Sequence, residues 1–330
     1  MNVSEPAELP ASDAPVTRRG GTRRHWTLHG LNNGAIFSAT YHGVGFLPRW
    51  MSYAIGRAGT WIAWRLMPET RAAIADNLRP LFPDETARAR EARARKTLSA
   101  YARDVIDFIR ALRATDADLE ELFDYSPADS KLILDLLSKE RGLILVSGHY
   151  GNWEVGSVFI RRIVKIPFAI IAMAEDNPTV NRLRHEIRGA VGADTIEVGQ
   201  SLETALQIRR RLAANGVVAV LMDRHVGRDR VDVEMLGQRA SFLRTPALMA
   251  FMTGAPLLPC FIERLRPGRF KVRAGVPIHV DRDRSRDEAI QKAAQDFADQ
   301  LGARIRARPE CWYHFYRYWD AAAGEDPPRS

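Results

Sequence analysis

The chain has 330 residues, of which 46% are hydrophobic, so it can bury a sizeable core and is not an intrinsically disordered protein. Its net charge of +8 and isoelectric point near 9.8 favour phosphate-bearing partners, such as nucleic acid, anionic lipid headgroups or an acidic carrier protein. The two cysteines, Cys260 and Cys311, match no metal-ligand spacing, which argues against a zinc site or a disulfide framework and favours a reducing, cytoplasmic setting.

The two ends of the chain are polar. Residues 1–30 are rich in proline and arginine and lack the basic, apolar and small-residue order of a cleavable signal peptide. We therefore predict a disordered basic tail there and a second disordered tail at residues 321–330.

Residues 31–67 are rich in aromatic and aliphatic side chains but contain arginines, glycines and a proline, so they make no clean apolar span of ~20 residues. They predict two amphipathic helices, the second at about Trp50 to Leu66. Such helices could lie on a membrane, with arginine and tryptophan at headgroup level, or could form a hairpin packed on the domain. Both interpretations stay open at this point, although the arginines favour lying on a bilayer over crossing it.

Residues 68–320 predict one α/β domain. Its first part is helical, from Arg71 to Phe82 and again from Glu85 to Ala114, where charges and apolar residues recur at helical spacing. Helices and strands then alternate. The predicted helices are Leu132–Glu140, Trp153–Val164, Pro178–Val191 and Leu202–Asn215. The predicted strands are Gly142–Ser147, Phe168–Ala172, Thr195–Val198 and Val217–Leu221. This alternation indicates βαβ units and a mainly parallel sheet with flanking helices.

The last part of the domain differs from this alternation. Leu257–Arg264 and Phe270–Gly275 flank a turn and predict an antiparallel hairpin at the end of the sheet. Ala247–Thr253 and Asp287–Arg308 predict two further helices, the second charged and amphipathic.

His149 lies just past the carboxyl end of a predicted core strand, where open α/β sheets hold their chemistry. Glu154 follows in the first turn of the next helix, close enough to accept a hydrogen bond from the imidazole and to orient it. Such a pair can act as a general base towards a substrate hydroxyl. The alternative is a capping or core histidine beside a carboxylate that complements a helix N-terminus.

No Gly-x-Ser-x-Gly elbow or placed cysteine nucleophile accompanies this pair, and the second histidine of a His-Glu-x-x-His zinc motif is missing. The sequence therefore predicts direct transfer of an acyl group from a thioester to an alcohol, without a covalent acyl-enzyme, a metal or a cofactor. Backbone amides at the start of the helix after Asn152 are candidates for stabilising the oxyanion, together with an arginine.

From about Leu31 to Trp319 the chain resembles the lipid A biosynthesis acyltransferases, within the wider group that has a His-x4-Asp/Glu motif. The residues that carry the resemblance, in chain order, are Arg71, Asn77-Leu78, Phe82-Pro83, Gly148-His149, Trp153-Glu154, Asn177-Pro178, Arg184, Asp223-Arg224, Gly237, Ala240, Phe242, Pro246, Gly254-Ala255-Pro256, Pro259, Pro309-Glu310 and Trp312. Cys311 stands where the family commonly has glutamine.

The resemblance implies a fatty acyl chain donated by acyl carrier protein or coenzyme A and an acceptor hydroxyl on a glycolipid such as a lipid A precursor. It also implies a location at the cytoplasmic face of the inner membrane, and we expect no nucleic acid partner.

Four further residues are candidates for binding substrate. Asp223 and Arg224, after the strand Val217–Leu221, could shape the pocket or orient the acceptor, or Asp223 could simply cap a turn. Arg184 could bind a phosphate or the oxyanion, or lie on a solvated helix face. Asn177 precedes Pro178, and a role as helix cap would explain it by itself.

Three other hypotheses stay open. The acceptor could be a phosphatidylinositol mannoside, another glycolipid or a secondary metabolite. The basic surface could bind nucleic acid, although the arginines are dispersed and no motif with interleaved aromatics is present. The chain could also be a non-catalytic membrane scaffold, against which the intact His149 and Glu154 count.

Overall fold

The computed structural model describes residues 43–44, 47–173, 178–198 and 202–321. The predicted tails, apart from Ala321 at the start of the second one, and most of the first predicted amphipathic helix lie outside these residues. The proposed division into tails, membrane-associating helices and catalytic domain therefore stays a prediction.

The described helices are α1 Arg49–Leu66, α2 Pro68–Asn77, α3 Ala87–Ala111, α4 Asp116–Leu122, α5 Pro127–Leu137, α6 Trp153–Val158, α7 Pro178–Val191, α8 Leu202–Ala213, α9 Thr245–Thr253, α10 Arg286–Ala307 and α11 Tyr318–Ala321. The strands are β1 Phe123–Asp124, β2 Leu143–Ser147, β3 Phe168–Met173, β4 Asp194–Val198, β5 Val217–Leu221, β6 Arg230–Met235, β7 Gln238–Leu243, β8 Leu257–Arg266 and β9 Arg269–Ala274. Short 3-10 turns occupy Arg79–Leu81 and Pro309–Cys311.

Seven strands form one sheet in the order β1-β9-β8-β2-β5-β3-β4. The strands from β8 through β2, β5 and β3 to β4 are parallel, β9 is antiparallel to β8, and β1 pairs in parallel with β9. The α/β class, the mainly parallel sheet and the antiparallel hairpin are confirmed.

Both faces of the sheet are buried. Along β2, Ile144 and Val146 join the core on the side of α8, α9 and α10, whereas Leu143 and Leu145 join the core on the side of α3 to α7. Because neighbouring residues of a strand face opposite sides, a strand covered on both sides reads as a continuous apolar run. That is why β2 and β5 could be recognised in the sequence.

Several elements differ from the prediction. β6 and β7 form a separate antiparallel hairpin in a stretch for which no strand was predicted. Its inward residues alternate along β6, at Val231, Val233 and Met235, so the period-two signal was present but short. The predicted helix from Trp153 to Val164 is α6 followed by a π turn over Phe159–Ile163.

The helix predicted at about Trp50 to Leu66 is confirmed as α1, which packs against α3. Within the described residues, α1 and every other helix is too short or too polar to span a bilayer.

Candidate active site

The central strands of the sheet bring His149 and Asp223 together. Ser147, the last residue of β2, pairs with Leu221, the last residue of β5. His149 and Asp223 each follow two residues later, so the register of two parallel strands sets them side by side at the carboxyl edge of the sheet.

The Asp223 carboxylate holds His149 by two hydrogen bonds. Its Oδ1 lies 2.7 Å from Nδ1 of the imidazole, and its Oδ2 accepts the backbone N–H of His149 at 2.8 Å. Asp223 is fully buried, whereas the His149 side chain keeps 16% of its surface exposed. The carboxylate of Asp223 is therefore closed off from solvent, whereas the imidazole of His149 remains accessible to a substrate.

His314 contacts the same carboxylate from the other side. Its Nε2 lies 2.9 Å from Oδ2 of Asp223, and its side chain is fully buried. The segment after the turn Pro309–Cys311 carries His314 into the site, where Tyr313 N donates to the carbonyl of His149 at 2.7 Å. Tyr318 adds a hydrogen bond from its hydroxyl to the carbonyl of Asp223 at 2.9 Å.

The loop between His149 and α6 requires a glycine at position 151. Gly151 has a φ of +63°, and a Cβ there would lie 2.0 Å from the carbonyl oxygen of Ile262. The close approach lets Asn152 N donate to Ile262 O at 2.8 Å, while Gly151 N donates to Cys311 O at 2.8 Å. The loop is thus bonded to β8 on one side and to the C-terminal segment on the other.

Charges and burial set the protonation states in the site. Burial alone would raise the pKa of Asp223, but the adjacent His149 and His314 hold it well below its ordinary value. Burial lowers the pKa of His314 to about 4. Burial and then the nearby Arg224 also lower the pKa of His149, although Asp223 opposes both effects. Near neutral pH the carboxylate is therefore ionised and both imidazoles are neutral.

This protonation state assigns the tautomers. An ionised carboxylate only accepts hydrogen bonds, so Nδ1 of His149 and Nε2 of His314 must each carry the proton that Asp223 accepts. The second nitrogen of His149, Nε2, is left with a free lone pair. A neutral imidazole in this tautomer is the form that can take a proton from a hydroxyl.

Glu154 lies elsewhere in the site. Among the described residues its carboxylate forms an ion pair with Arg184, with 3.6 Å between Oε1 and Nη1, and it makes no hydrogen bond or ion pair with His149. The hydrogen bond that we predicted from the imidazole to Glu154 is formed with Asp223 instead. The physical reason is register, because two strands fix Asp223 beside the ring, whereas Glu154 belongs to the first turn of α6.

The positive charges of Arg224 and Arg184 both act on the imidazole of His149. Each lowers the pKa of His149, which shows that both guanidinium groups act on the ring. Arg224 lies over the ring of Tyr316, 5.0 Å from its centroid. Asp223 and Arg224 thus meet at the site as the sequence indicated, with Asp223 behind the imidazole rather than in the pocket. Asn177 lies outside the described residues.

The start of α6 offers fewer free amides than we expected. Gly151 N and Asn152 N are bonded to backbone carbonyls, and Val155 N is bonded to the side chain of Asn152. These three amides are therefore engaged in this conformation, and the amides of Trp153 and Glu154 remain candidates for the oxyanion together with the arginines.

His149, Asp223 and His314 also have the donor types of a metal site, with ligand atoms within 4.8 Å of one another. Two ligands of one tetrahedral zinc ion, each about 2.1 Å from it, would lie roughly 3.4 Å apart. The Asp223 oxygens lie 2.7 and 2.9 Å from the ring nitrogens, which are hydrogen-bond distances. The geometry fits a hydrogen-bonded relay of His149, Asp223 and His314 better than a metal centre.

The relay, with an ionised Asp223 and two neutral imidazoles, makes the stability of the folded protein sensitive to acid. Folding lowers the pKa of His314 from its ordinary 6.5 to about 4. Between these two pH values the unfolded chain binds a proton at His314 that the folded protein does not bind. Stability is therefore lost as pH falls, by about 3 kcal/mol from this group. The lowered pKa of Asp223 acts in the same direction.

We expect urea unfolding between pH 7 and pH 4 to show this loss, and His314→Asn to reduce it, because asparagine keeps a donor without a titrating ring. The free energy of unfolding would be compared at each pH for the two proteins. An identical pH dependence in both would contradict the assignment of the titration to His314.

A model of the bacterial lipid A biosynthesis acyltransferase family matches residues 29–321. Among curated proteins, the chain is 24% identical over 247 residues to a phosphatidylinositol mannoside acyltransferase of Mycolicibacterium smegmatis, covering 74% of this chain and 75% of that protein. It is also 24% identical over 187 residues to a phosphatidylinositol mannoside acyltransferase of Mycobacterium tuberculosis, covering 56% of each chain. The family match spans the sheet, the His149 loop and the C-terminal segment that carries His314, so the chain belongs to the bacterial lipid A biosynthesis acyltransferase family and is an acyltransferase.

Proposed function

We propose that this acyltransferase moves a fatty acyl chain from an acyl thioester to a hydroxyl group of a glycolipid, with His149 as the general base. The observation that carries the proposal is the hydrogen bond between His149 Nδ1 and the buried Asp223 carboxylate, which leaves Nε2 free to accept a proton. The donor would be acyl carrier protein or coenzyme A carrying the chain as a thioester.

In this mechanism Nε2 of His149 takes the proton of the acceptor hydroxyl as its oxygen attacks the thioester carbonyl carbon. Asp223 stabilises the imidazolium that forms and keeps the ring oriented. When the tetrahedral intermediate collapses, the carbon–sulfur bond breaks and the thiolate receives the proton from the imidazolium. The products are an ester and a free thiol, and the base is regenerated.

Arg184 and Arg224 are the proposed partners of developing negative charge. Both act electrostatically on His149, and an arginine in a partly dry site can stabilise an oxyanion or bind an acceptor phosphate. We propose that the ion pair with Glu154 holds Arg184 at the mouth of the site, since both side chains are more than two-thirds buried. Glu154 would then act through Arg184 and not through the base.

The acceptor has two candidates. The family to which the chain belongs favours a lipid A precursor. The similarity to the two mycobacterial proteins favours a phosphatidylinositol mannoside, which is the second candidate. Transfer by the purified protein to a panel containing both lipids, with acyl carrier protein and coenzyme A thioesters as donors, separates them. If neither lipid is acylated by any donor, the glycolipid part of the proposal fails.

The exposed side of α1 supports a membrane-surface location, which we propose to be the cytoplasmic face of the inner membrane. Large apolar side chains remain exposed along this helix, namely Trp50, Ile55, Trp61, Ile62 and Leu66. Arg57 and Arg65 lie among them, and the Arg65 guanidinium lies over the ring of Trp61 at 4.0 Å. An apolar helix face bordered by arginines is typical of helices that lie in the headgroup region.

The double substitution Trp61→Ser and Leu66→Ser is expected to reduce binding to anionic vesicles at least ~10-fold, because it removes apolar area that would enter the bilayer. Vesicle co-sedimentation measures this. Leu134→Ser is the matched control, since Leu134 is 52% exposed on α5 and belongs to another surface. Equal binding by all three proteins would exclude α1 as the membrane contact.

A further inference from the structure

A cavity of about 750 Å³, whose lining does not include His149, is lined by five arginines. They come from α1, α3, the segment after α3, the end of β8 and the start of β9: Arg49, Arg110, Arg113, Arg266 and Arg269. Only two acidic residues line the same cavity, Asp118 and Glu121. Asp118 already accepts hydrogen bonds from Thr115 N at 2.9 Å and from Thr115 Oγ1 at 2.7 Å, so its carboxylate is engaged in capping α4.

Two of these arginines have a buried Nε donor that makes no hydrogen bond with the described residues. The Nε atoms of Arg49 and Arg110 are buried, and neither forms a hydrogen bond to another described residue. The acidic group nearest to the Arg49 Nε is Oδ1 of Asp107 at 3.7 Å, too far for a hydrogen bond. Leaving a buried donor without a hydrogen bond is unfavourable, most of all for a charged group, so such atoms indicate a missing acceptor.

The side chain of Arg49 packs against Gly268 in the turn between β8 and β9. Its guanidinium lies directly on the turn between β8 and β9, where a Cβ added to Gly268 would come within 1.9 Å of Arg49 Nη1. Arg110 is held by donating from Nη1 to the carbonyl of Leu47 at 2.8 Å. Burial, followed by repulsion from Arg49, lowers the pKa of Arg110.

The cavity is connected to the active site through two elements. On β8, the carbonyl of Ile262 accepts a hydrogen bond from the His149 loop. Arg266 follows four residues later on the same strand, a distance of ~13 Å. α3 runs from Asp104, whose carbonyl accepts Asn152 Nδ2, to Arg110, a rise of ~9 Å. The arginine cavity therefore lies on the same two elements that hold the His149 loop.

We propose that this arginine cavity binds a phosphate group of an organic phosphate ligand. Several guanidinium groups around one space match the geometry and charge of phosphate oxygens, and the unpaired Nε donors of Arg49 and Arg110 would gain the acceptor that they lack. The phosphate can come from a soluble ligand, such as coenzyme A, or from a lipid headgroup, and the two sources are separable by experiment.

The test is binding by the full-length protein in the absence of turnover, so that its failure differs from a failure of the proposed acyl transfer. Calorimetric titration with inorganic pyrophosphate and with coenzyme A is compared for wild type, Arg110→Gln with Arg266→Gln, and the exposed control Arg209→Gln on α8. We expect saturable binding by wild type and by the control, weakened at least ~10-fold in the double variant, because charge-assisted hydrogen bonds are lost.

A second arm uses vesicles of phosphatidylcholine with and without phosphatidylinositol. Binding that requires phosphatidylinositol and is lost in the double variant, without binding of either soluble phosphate, assigns the site to a lipid phosphate. Arg110→Lys with Arg266→Lys keeps the charge and is expected to retain part of the binding, which separates loss of charge from loss of fold. The proposal is overturned if neither a soluble nor a lipid phosphate binds, or if the Gln and control variants bind alike.

Discussion

His149→Ala is expected to lower kcat for acyl transfer by about 10²–10⁴-fold, the usual contribution of a general base. The variant lacks the Nε2 lone pair that would take the proton of the acceptor hydroxyl. Because binding of the acyl chain and of the acceptor does not depend on this proton transfer, KM should change much less than kcat.

Steady-state transfer from a thioester donor to an accepted glycolipid measures both constants. His279→Ala is the matched control, since His279 is exposed near the end of the hairpin and away from the sheet edge that holds His149. Circular dichroism would establish that both variants are folded. Retention of the wild-type kcat by His149→Ala would remove the proposed base.

Asp223→Asn is expected to lower kcat by a comparable factor, on the order of 10²–10⁴. The amide N–H of asparagine can donate a hydrogen bond to Nδ1 of His149, which stabilises the tautomer that carries hydrogen on Nε2. That tautomer has no lone pair to offer a substrate. The variant also loses the negative charge that stabilises the imidazolium. It therefore lacks both the required tautomer of His149 and the stabilising charge.

Nitrogen NMR of the His149 ring is the structural measurement for this prediction. The wild-type ring should carry its proton on Nδ1 at neutral pH, and the ring of Asp223→Asn should carry it on Nε2. His314 reports the same change from its own side, because it also faces the carboxylate. A wild-type ring protonated on Nε2 would contradict the assigned tautomer.

Most of the fold could be predicted from the sequence because its apolar patterns are continuous over whole strands and helices. β2 and β5 are unbroken apolar runs between glycine-containing turns, and the helices between strands have clear periodicity. The β6 and β7 hairpin was missed because each strand is short and carries charged residues on its exposed side. Short alternations of this kind cannot be told from a polar loop without their partner strand.

The active site was predicted only in part. The position of His149 at a strand end was readable, but the identity of its carboxylate was not. Sequence proximity favoured Glu154, whereas spatial proximity depends on which strands are neighbours. Asp223 follows β5, and β5 lies directly beside β2 in the sheet although two other strands separate them in the chain. An argument from strand order would have found it.

His314 had no signal in the sequence. It lies within a run of aromatic residues near the C-terminus, where the pattern indicates packing and not a catalytic group. Trp312, Tyr313 and Tyr318 are buried around the relay, so these side chains have a packing role. The arginine cavity was equally invisible, since its members are spread over more than 200 positions and meet only in the fold.

The central claim is that Asp223, and not Glu154, orients the catalytic base. The most direct measurement compares kcat for Asp223→Asn and Glu154→Gln side by side, with one donor and one acceptor. We predict a loss of at least ~10²-fold for Asp223→Asn and of ~10-fold or less for Glu154→Gln, because Glu154 pairs with Arg184 and makes no hydrogen bond or ion pair with the base. A larger loss in Glu154→Gln than in a folded Asp223→Asn would contradict this account.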